Sequence, residues 1–339
     1  MINSPTPLND WNELATQVLA GTPLSFEQAH SILLADDTEL LDIMAAAYRV
    51  RRKFFGNTVQ YYFLMNAKSG LCPEDCTYCS QSKIATSEIP RYNILSRDKL
   101  LDGARVAAES GSKTYCIVIS ARGPNEREMN AVTTIVPEIK QKYDLKICAC
   151  LGLLTPEQAQ QLKDCGVDRV NHNVNSSSNH YDQVCTTHTY KDRIDTLQAV
   201  RESGMELCSG GIIGMGEKAS DVVRMAMELR DLNVESIPVN FLNPIDGTPL
   251  AGPSDLNPRY CLKTLAMFRF VNSDREIRIA GGRELHLGSM QCLGLYAANS
   301  IFVGDYLTTK GQLPEQDCKM VEEMGFVVTR NQETTVGVA

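Results

Sequence analysis

The sequence predicts an α/β fold, a (β/α)8 TIM-type barrel, from a regular alternation of strand and helix patterns that starts after residue 56. Apolar runs of strand length begin at eight points, and segments with helical periodicity separate most of them. An open doubly wound sheet is the alternative, but no GxGxxG motif follows the first strand, so the barrel is favoured. The eight runs begin near Thr58, Lys113, Leu145, Asp168, Met205, Glu235, Glu276 and Asn299.

Helices are predicted before the first strand as an extension covering residues 1–56. Ser25 and Gln28 have the spacing of a capping box at a helix start, and a helical pattern over residues 37–55 ends at Gly56. The barrel is assigned to residues 57–312. Residues 313–339 are assigned to a C-terminal helix and tail, of which residues 331–339 read as a loose tail.

The helices between the barrel strands carry recognisable start and stop signals. Ser96 precedes one helical segment, and Thr155 followed by Pro156 begins another. A glycine ends each of three such segments immediately before a strand, as expected in the connections of a parallel sheet. These three are Gly111, Gly166 and Gly204.

Composition narrows the class of protein. With 43% hydrophobic and 22% charged residues, the 339-residue chain is typical of a globular protein, and no apolar run is long enough to span a membrane. The formal net charge of −8 argues against electrostatic binding to nucleic acid or to an anionic membrane. Residues 1–10 lack the pattern of a signal peptide, so a cytoplasmic protein is expected. The twelve cysteines are then better explained by metal ligation, catalysis or burial than by disulfides.

Three cysteines follow the first predicted strand in a CxxxCxxC loop. A barrel places Cys72, Cys76 and Cys79 on its active face, where three thiolates can converge on zinc or on an iron–sulfur cluster. Structural zinc prefers four protein ligands, and no further cysteine or histidine follows closely after Cys79. A 4Fe-4S cluster with three cysteine ligands has one open iron, which favours the cluster. Zinc and unligated thiols remain the alternatives.

The loop also carries an aromatic residue, Tyr78, just before its last cysteine. In this it resembles the radical S-adenosylmethionine enzymes. The resemblance implies that a 4Fe-4S cluster on Cys72, Cys76 and Cys79 binds S-adenosylmethionine at its open iron. It also implies that one electron cleaves the sulfonium bond to give methionine and a 5′-deoxyadenosyl radical.

Thiols also occur inside the predicted strands. Cys116, Cys148 and Cys208 come from three different strands, and Cys150 shares a strand face with Cys148. Each alone reads as a small buried apolar residue. Arg278 is a charge within an otherwise apolar strand and requires an anionic partner there. Three strands that supply thiols, together with this arginine, therefore favour a second cluster.

Longer motifs resemble the biotin synthase family, and the resemblance extends from about residue 41 to residue 328. It implies sulfur insertion into dethiobiotin to form biotin, with a 2Fe-2S cluster as the sulfur donor. The implied ligands of that cluster are Cys116, Cys148, Cys208 and Arg278, and Cys150 leaves a larger auxiliary cluster open. The matching segments include residues 79–82, 171–175, 208–214, 240–243, 247–250, 278–283 and 297–302.

The same resemblance assigns binding residues. Gln81, Asn173, Asn175 and Arg193 are implied for S-adenosylmethionine, and Lys68, Asn173, Asn240, Thr308 and Thr309 for dethiobiotin. From the residues alone, the asparagines also read as a polar strand end, Arg193 as a solvated helix charge and the threonines as a turn. Some family members have aspartate at position 175, so asparagine weakens the case for a ribose contact there.

Other positions receive no chemical role. His172 could carry a proton, but a hydrogen-bonded structural role explains it at least as well. No catalytic residue is assigned. Five remaining cysteines are expected to be buried without converging partners. They are Cys165, Cys185, Cys261, Cys292 and Cys318.

The family resemblance also suggests partners, namely a second copy of the chain in a homodimer and an electron donor such as flavodoxin or ferredoxin. Two rival functions remain. One is a related radical enzyme of the hydrogenase-maturation or aromatic-lyase type, which Arg278 and the inner cysteines disfavour. The other is a zinc-bound scaffold protein.

Overall fold

Parallel strands close into a barrel in the computed structural model, which describes residues 10–329. Every strand pairs in parallel with its neighbours, and β1 pairs with β9 to close the ring. The predicted fold class is therefore confirmed, and the eight predicted starts lie within one residue of observed strands. The strands are β1 (Thr58–Lys68), β2 (Thr114–Ile119), β3 (Lys146–Cys150), β4 (Arg169–Asn171), β5 (Glu206–Cys208), β6 (Gly211–Ile213), β7 (Ser236–Phe241), β8 (Glu276–Ile279), β9 (Ser300–Phe302) and β10 (Val327–Val328).

Two of these strands, β6 and β10, were not predicted. β5 and β6 are two parts of one barrel position that breaks at Ser209 and Gly210, and both parts pair with β7. A Cβ atom at Gly210 would lie 1.9 Å from the carbonyl oxygen of Pro238, so only glycine allows this close approach. β10 has two residues and adds to the start of β1. Strands this short carry no periodic signal in a sequence.

Helices surround the barrel, and most of their predicted caps are present. Ser25 and Gln28 form both hydrogen bonds of a capping box, and Thr155 caps the helix that begins at Pro156. Ser96 precedes α4 without a side-chain cap bond. The helices are α1 (Trp11–Leu19), α2 (Phe26–Leu34), α3 (Leu40–Phe55), α4 (Arg97–Glu109), α5 (Glu126–Lys142), α6 (Pro156–Asp164), α7 (Tyr190–Glu202), α8 (Ala219–Asp231), α9 (Pro258–Val271), α10 (Arg283–Leu287) and α11 (Pro314–Glu323).

The N-terminal helices cover the outer side of α9. Both α2 and α3 pack against α9, while α1 packs against α3. Every residue of α9 from Cys261 to Val271 is consequently buried. Such a helix is a core element and lacks the polar outer face of most barrel helices.

The domain boundaries at residues 56 and 312 stay a prediction. The expectations for residues 1–9 and for the tail at 331–339 lie outside the described residues. Within residues 10–329, no helix has the length and apolar character that a membrane crossing requires.

A buried ion pair attaches α11 to the barrel. Nη1 of Arg283 in α10 lies 2.7 Å from Oδ1 of Asp317 in α11, and both side chains are almost fully buried. A charge left without its partner at such a site is costly.

We expect Asp317→Ala to lower the free energy of unfolding by about 3–5 kcal/mol, because the buried Arg283 guanidinium loses its fully buried partner and keeps only the partly exposed carboxylate of Glu284. Chemical denaturation of the full-length chain measures the change. Glu323→Ala, on the same helix, removes an exposed partner of Lys319 and should cost well under 1 kcal/mol. Equal losses in the two variants would contradict the buried-charge explanation.

Candidate active site

A cavity of about 380 Å³ opens at the carboxyl ends of the barrel strands. Both cysteine sets identified in the sequence line it, the loop cysteines at residues 72–79 and the inner cysteines of β2, β3 and β5. In parallel barrels this end carries the active site. The closure of the sheet therefore brings together two groups of thiols that are far apart in the sequence.

The CxxxCxxC loop is held by contacts to the segment between β4 and α7. Asp75 accepts hydrogen bonds from the backbone N–H groups of Thr186 at 2.9 Å and Thr187 at 3.2 Å. The N–H of Thr77 donates to the carbonyl oxygen of Val184 at 3.0 Å. On the other side, the N–H of Gly70 donates to Oε1 of Gln81 at 3.0 Å. The loop is thus fixed at both ends by polar contacts.

The environment of these thiols suits a cationic centre. Burial raises the pKa of Cys79 to about 11 and also raises that of Cys72. A hydrogen bond with Cys185, together with burial, raises the pKa of Cys76. The thiols therefore stay protonated near neutral pH until a metal centre stabilises their thiolates. These residues fit an iron–sulfur cluster.

The inner cysteines share one level of the barrel. Cys116 and Cys148 are register partners across β2 and β3, and Cys208 on β5 pairs with Asn171 on β4. All three thiols are buried and pack with Tyr62 of β1. Residues from four strands thus meet on the barrel axis, as the alternation of side chains predicted.

Arg278 lies directly against this group. Its Nη1 is 3.7 Å from Sγ of Cys208, and its guanidinium carbon is 3.3 Å from the centre of the Tyr62 ring. Nη2 donates to Oγ of Ser236 at 2.6 Å and to Oε1 of Glu276 at 2.7 Å. Burial acts to lower the pKa of Arg278, but the interactions with Tyr62 and Glu276 are larger together, so the pKa lies above its usual value and the guanidinium is charged.

Glu276 connects Arg278 to a second buried guanidinium, that of Arg169. Oε2 of Glu276 lies 3.1 Å from Nη1 of Arg169 and accepts from the Tyr62 hydroxyl at 2.7 Å, while Oε1 accepts from Ser300 at 2.7 Å. Burial acts to raise the pKa of Glu276, but Arg278 and Arg169 hold it well below its usual value. The carboxylate is therefore ionised.

This layer carries two buried positive groups and one fully buried carboxylate. Arg169 has a further partner in Glu206, but that carboxylate is 38% exposed at the edge of the barrel. An excess of positive charge beside three thiols favours an anionic occupant. Arg278 stands out in the sequence as a charge inside an apolar strand. Arg169 and Glu276 do not, because each is the first residue of its strand, where a charged side chain is usually exposed to solvent.

The residues predicted to bind S-adenosylmethionine all line the cavity. Arg193 is buried, and it donates to the carbonyl oxygen of Asn173 at 2.8 Å and to the Tyr181 hydroxyl. Nδ2 of Asn175 donates to the Tyr78 hydroxyl at 2.8 Å, and the backbone of Asn175 has φ 66°, a left-handed conformation that asparagine tolerates well.

The predicted substrate residues divide into two groups. Asn240, Thr308 and Thr309 line the cavity, where Asn240 is fixed by its bonds to Gly211 and Gly281. The structure does not bring Lys68 to this surface.

Lys68 instead forms a buried ion pair with Glu128, with Nζ and Oε1 2.7 Å apart. Glu128 is held there by its capping box with Asn125 at the start of α5. Lys68 is therefore paired with Glu128 in this structure, and its assignment to the substrate carboxylate stays a prediction.

Two further expectations concern single residues. Cys150 lines the cavity, and burial raises its pKa to about 12. His172 is buried there as well, and its burial, with Arg193 nearby, lowers its pKa, so the ring is neutral. Neither observation assigns these residues a chemical role.

Cys185 contradicts the expectation that it would lack converging partners. Its Sγ lies 3.7 Å from Sγ of Cys76 and 3.1 Å from Nδ1 of His188. The sequence carries no signal for this contact, since 109 residues separate the two cysteines.

Comparison with known proteins identifies the class. Residues 68–229 match the family model of the Radical SAM superfamily, and residues 238–327 match that of the Biotin and Thiamin Synthesis associated domain. The fold and the cysteine loop thus define a radical S-adenosylmethionine enzyme, a class that implies a 4Fe-4S cluster and S-adenosylmethionine.

Close relatives identify the family. A biotin synthase of Rhodopirellula baltica is 65% identical over 328 residues, covering 97% of this chain and 91% of the relative. A biotin synthase of Bacillus subtilis strain 168 is 54% identical over 326 residues, covering 96% and 97% of the two chains. The chain belongs to the biotin synthase family.

Solved structures agree on the fold. Methylornithine synthase superposes with a TM-score of 0.83 at 18% identity and covers 94% of this chain and 98% of its own. The FeFe-hydrogenase maturase of Carboxydothermus hydrogenoformans superposes with a TM-score of 0.78 at 16% identity, and the match covers 94% of this chain and 79% of the maturase. At these identities the likeness concerns the fold alone.

We expect Glu276→Gln to lower the free energy of unfolding of the cluster-free chain by about 3–5 kcal/mol, because Arg169 and Arg278 then lose their shared buried carboxylate. Chemical denaturation measures this loss. Glu206→Gln is the matched control, since Glu206 also pairs with Arg169 but is partly exposed, and its loss should be much smaller. An equal loss in both variants would contradict the role given to Glu276.

Proposed function

We propose that the protein inserts sulfur into dethiobiotin to form biotin, in a reaction that depends on S-adenosylmethionine. The observation that carries this proposal is the meeting of three strand thiols with Arg278 on the axis of a barrel whose cavity also reaches the CxxxCxxC loop. A second set of thiols inside the barrel offers a place for a cluster that could supply sulfur to a substrate bound in the same cavity. The family membership supports the same reaction.

Cys72, Cys76 and Cys79 would hold the 4Fe-4S cluster. When bound, this cluster supplies the single electron that cleaves S-adenosylmethionine. The chain contributes the polar contacts that fix the loop and the burial that raises the thiol pKa values, so these thiols are thiolates only when a metal centre stabilises them. Three thiolates within eight residues are the protein ligands available in the loop itself.

Cys116, Cys148, Cys208 and Arg278 would hold the auxiliary cluster, proposed to be of the 2Fe-2S type. When bound, this cluster supplies the sulfur. Three thiolates and one carboxylate against two guanidinium groups leave a net charge of about −2 in a buried region, which a cationic metal centre would balance. Cys150 lies on the same strand as Cys148 and leaves a larger cluster as the alternative.

Arg193, Asn173, Asn175 and Gln81 would bind S-adenosylmethionine. Three of the five N–H groups of Arg193 are occupied by Asn173, Tyr181 and His188, which leaves two for the methionine carboxylate. The Asn173 and Asn175 amides offer donors and acceptors to the ribose hydroxyls. Gln81 presents its amide from the base of the cluster loop.

Dethiobiotin would lie between the two metal sites. Asn240, held by its backbone contacts on both sides, would bind the ureido group with Asn173. Thr308 and Thr309 would bind the aliphatic carboxylate, and Thr308 already has a 2.8 Å contact with Ser80 of the cluster loop. In this order, a radical formed on a carbon atom of dethiobiotin would be kept away from water until sulfur is transferred to it.

The proposal extends to partners. An electron carrier such as flavodoxin or ferredoxin would reduce the loop cluster, and the chain would work in the cytoplasm as a homodimer. Size-exclusion chromatography and reduction assays with each carrier test these points.

The decisive experiment is anaerobic incubation of the reconstituted protein with reductant, S-adenosylmethionine and dethiobiotin, followed by mass analysis of the products. We expect biotin together with 5′-deoxyadenosine. Cys76→Ala should abolish both products, because the loop cluster loses a ligand. Cys208→Ala should retain deoxyadenosine formation while biotin is lost.

Two controls sharpen this division of roles. Cys292→Ala, a helix-surface cysteine, should leave both products unchanged. Deoxyadenosine without biotin in the unsubstituted protein would point to another radical reaction. Identical behaviour of Cys76→Ala and Cys208→Ala in both assays would refute the assignment of separate clusters.

We expect Arg193→Lys to weaken S-adenosylmethionine binding by roughly tenfold to a hundredfold, because lysine cannot replace the fork of a guanidinium. Equilibrium binding to the reconstituted protein measures the change, and the iron content of the loop cluster should stay the same. Arg201→Lys, on the same helix but paired with Glu235, is the control and should bind normally. Unchanged affinity in Arg193→Lys would remove Arg193 from the binding site.

A further inference from the structure

Three metal-ligand side chains meet at the cluster loop in a set of which the proposed function uses only Cys76 as a metal ligand. The Sγ atoms of Cys76 and Cys185 lie 3.7 Å apart, and Nδ1 of His188 is 3.1 Å from Sγ of Cys185. The three donor atoms all fall within 4.8 Å of one another, and all three side chains are buried. Cys76 comes from the loop after β1, whereas Cys185 and His188 come from the segment before α7.

The separations suit a tetrahedral ion of the size of zinc. Zinc–thiolate bonds of about 2.3 Å at tetrahedral angles place two sulfur atoms about 3.8 Å apart. The observed 3.7 Å between Cys76 and Cys185 is close to this value. Zinc–imidazole bonds of about 2.0 Å place the nitrogen about 3.5 Å from each sulfur. A small outward movement of the His188 ring therefore completes three coordination positions.

A carboxylate also contacts the ring. Oε2 of Glu74 lies 2.5 Å from Nδ1 of His188, but Glu74 is not among the side chains whose donor atoms all lie within 4.8 Å of one another, so it orients the ring and is not counted as a ligand. Nη2 of Arg193 donates to Nε2 of His188 at 2.7 Å, so the hydrogen of the neutral ring is on Nδ1. Metal binding at Nδ1 requires the ring hydrogen to shift to Nε2, where it displaces the Arg193 contact, and leaves two thiolate donors and one neutral imidazole donor.

We propose that the cluster-free protein binds one zinc-class divalent ion through Cys76, Cys185 and His188, with water in the fourth position. The ion holds the loop to the segment before α7 before a cluster is inserted. Cys76 cannot ligate this ion and the cluster together, so the two exclude each other. The ion site stands on the geometry alone, and only the exclusion rests on the proposed function.

Titration of the full-length, cluster-free protein with Zn²⁺ against a chromophoric chelator tests the site. One tight equivalent is expected, and Co²⁺ at the same place should show the absorption of a tetrahedral site with two thiolates. Cys185→Ser and His188→Asn should each weaken zinc binding at least tenfold. Circular dichroism of each variant shows that it is folded, and Cys185→Ala provides a second variant at that position.

Matched controls separate this site from a zinc site in the CxxxCxxC loop. Cys72→Ala removes a loop cysteine outside the proposed ligand set, and Cys165→Ser removes a distant thiol, so both should bind Zn²⁺ and Co²⁺ normally. Binding that is lost in Cys72→Ala but kept in Cys185→Ser would overturn the proposal. The absence of any tight zinc binding by the unsubstituted chain would also overturn it.

Reconstitution with iron and sulfide tests the exclusion separately. Zinc-loaded unsubstituted protein should take up loop-cluster iron more slowly than zinc-treated Cys185→Ser, and a chelator should remove the difference. A full loop cluster formed while the zinc is retained would refute the exclusion, and with it the role of Cys76 as a shared ligand. The titration result would still decide the ion site.

Discussion

The need to balance positive charge within the barrel governs the architecture of this site. Arg169 and Arg278 are placed by their strands in a region from which water is excluded, and Glu276 alone is fully buried between them. The hydroxyl groups of Tyr62 and Ser300 complete the hydrogen bonds of that carboxylate. The remaining positive charge faces the inner thiols, so the polar layer and the metal ligands depend on each other.

The polar layer also sets the order of parts along the barrel axis. Charged side chains occupy the inner level, thiols lie next to them, and amide and hydroxyl groups surround the open cavity towards the CxxxCxxC loop. One strand contributes to successive levels, as β4 does with Arg169 and Asn171, because residues two apart on a strand point to the same face. Only a closed sheet allows distant strands such as β2 and β8 to face the same centre.

Periodic features of the chain could be predicted from the sequence, whereas contacts across the barrel could not. The strand starts and the inner cysteines follow from local alternation, and Arg278 stood out as a charge in an apolar strand. The ion pair of Lys68 was missed because nothing local in the sequence indicates that Glu128 lies beside it. Cys185 was missed for the same reason, since its contact with Cys76 exists only when two loops at the rim of the barrel are folded together.

The packing of the N-terminal helices on α9 has a consequence for how the chain is made. Arg51 of α3 donates to the carbonyl oxygens of Thr58 and Ala298, so the same helix contacts the beginning and the end of the barrel. During synthesis the first three helices emerge some 200 residues before α9, and the faces of α2 and α3 that pack on α9 lack this partner throughout that interval. Their docking joins the two ends of the ring, so completion of the extension and closure of the barrel are coupled late events in folding.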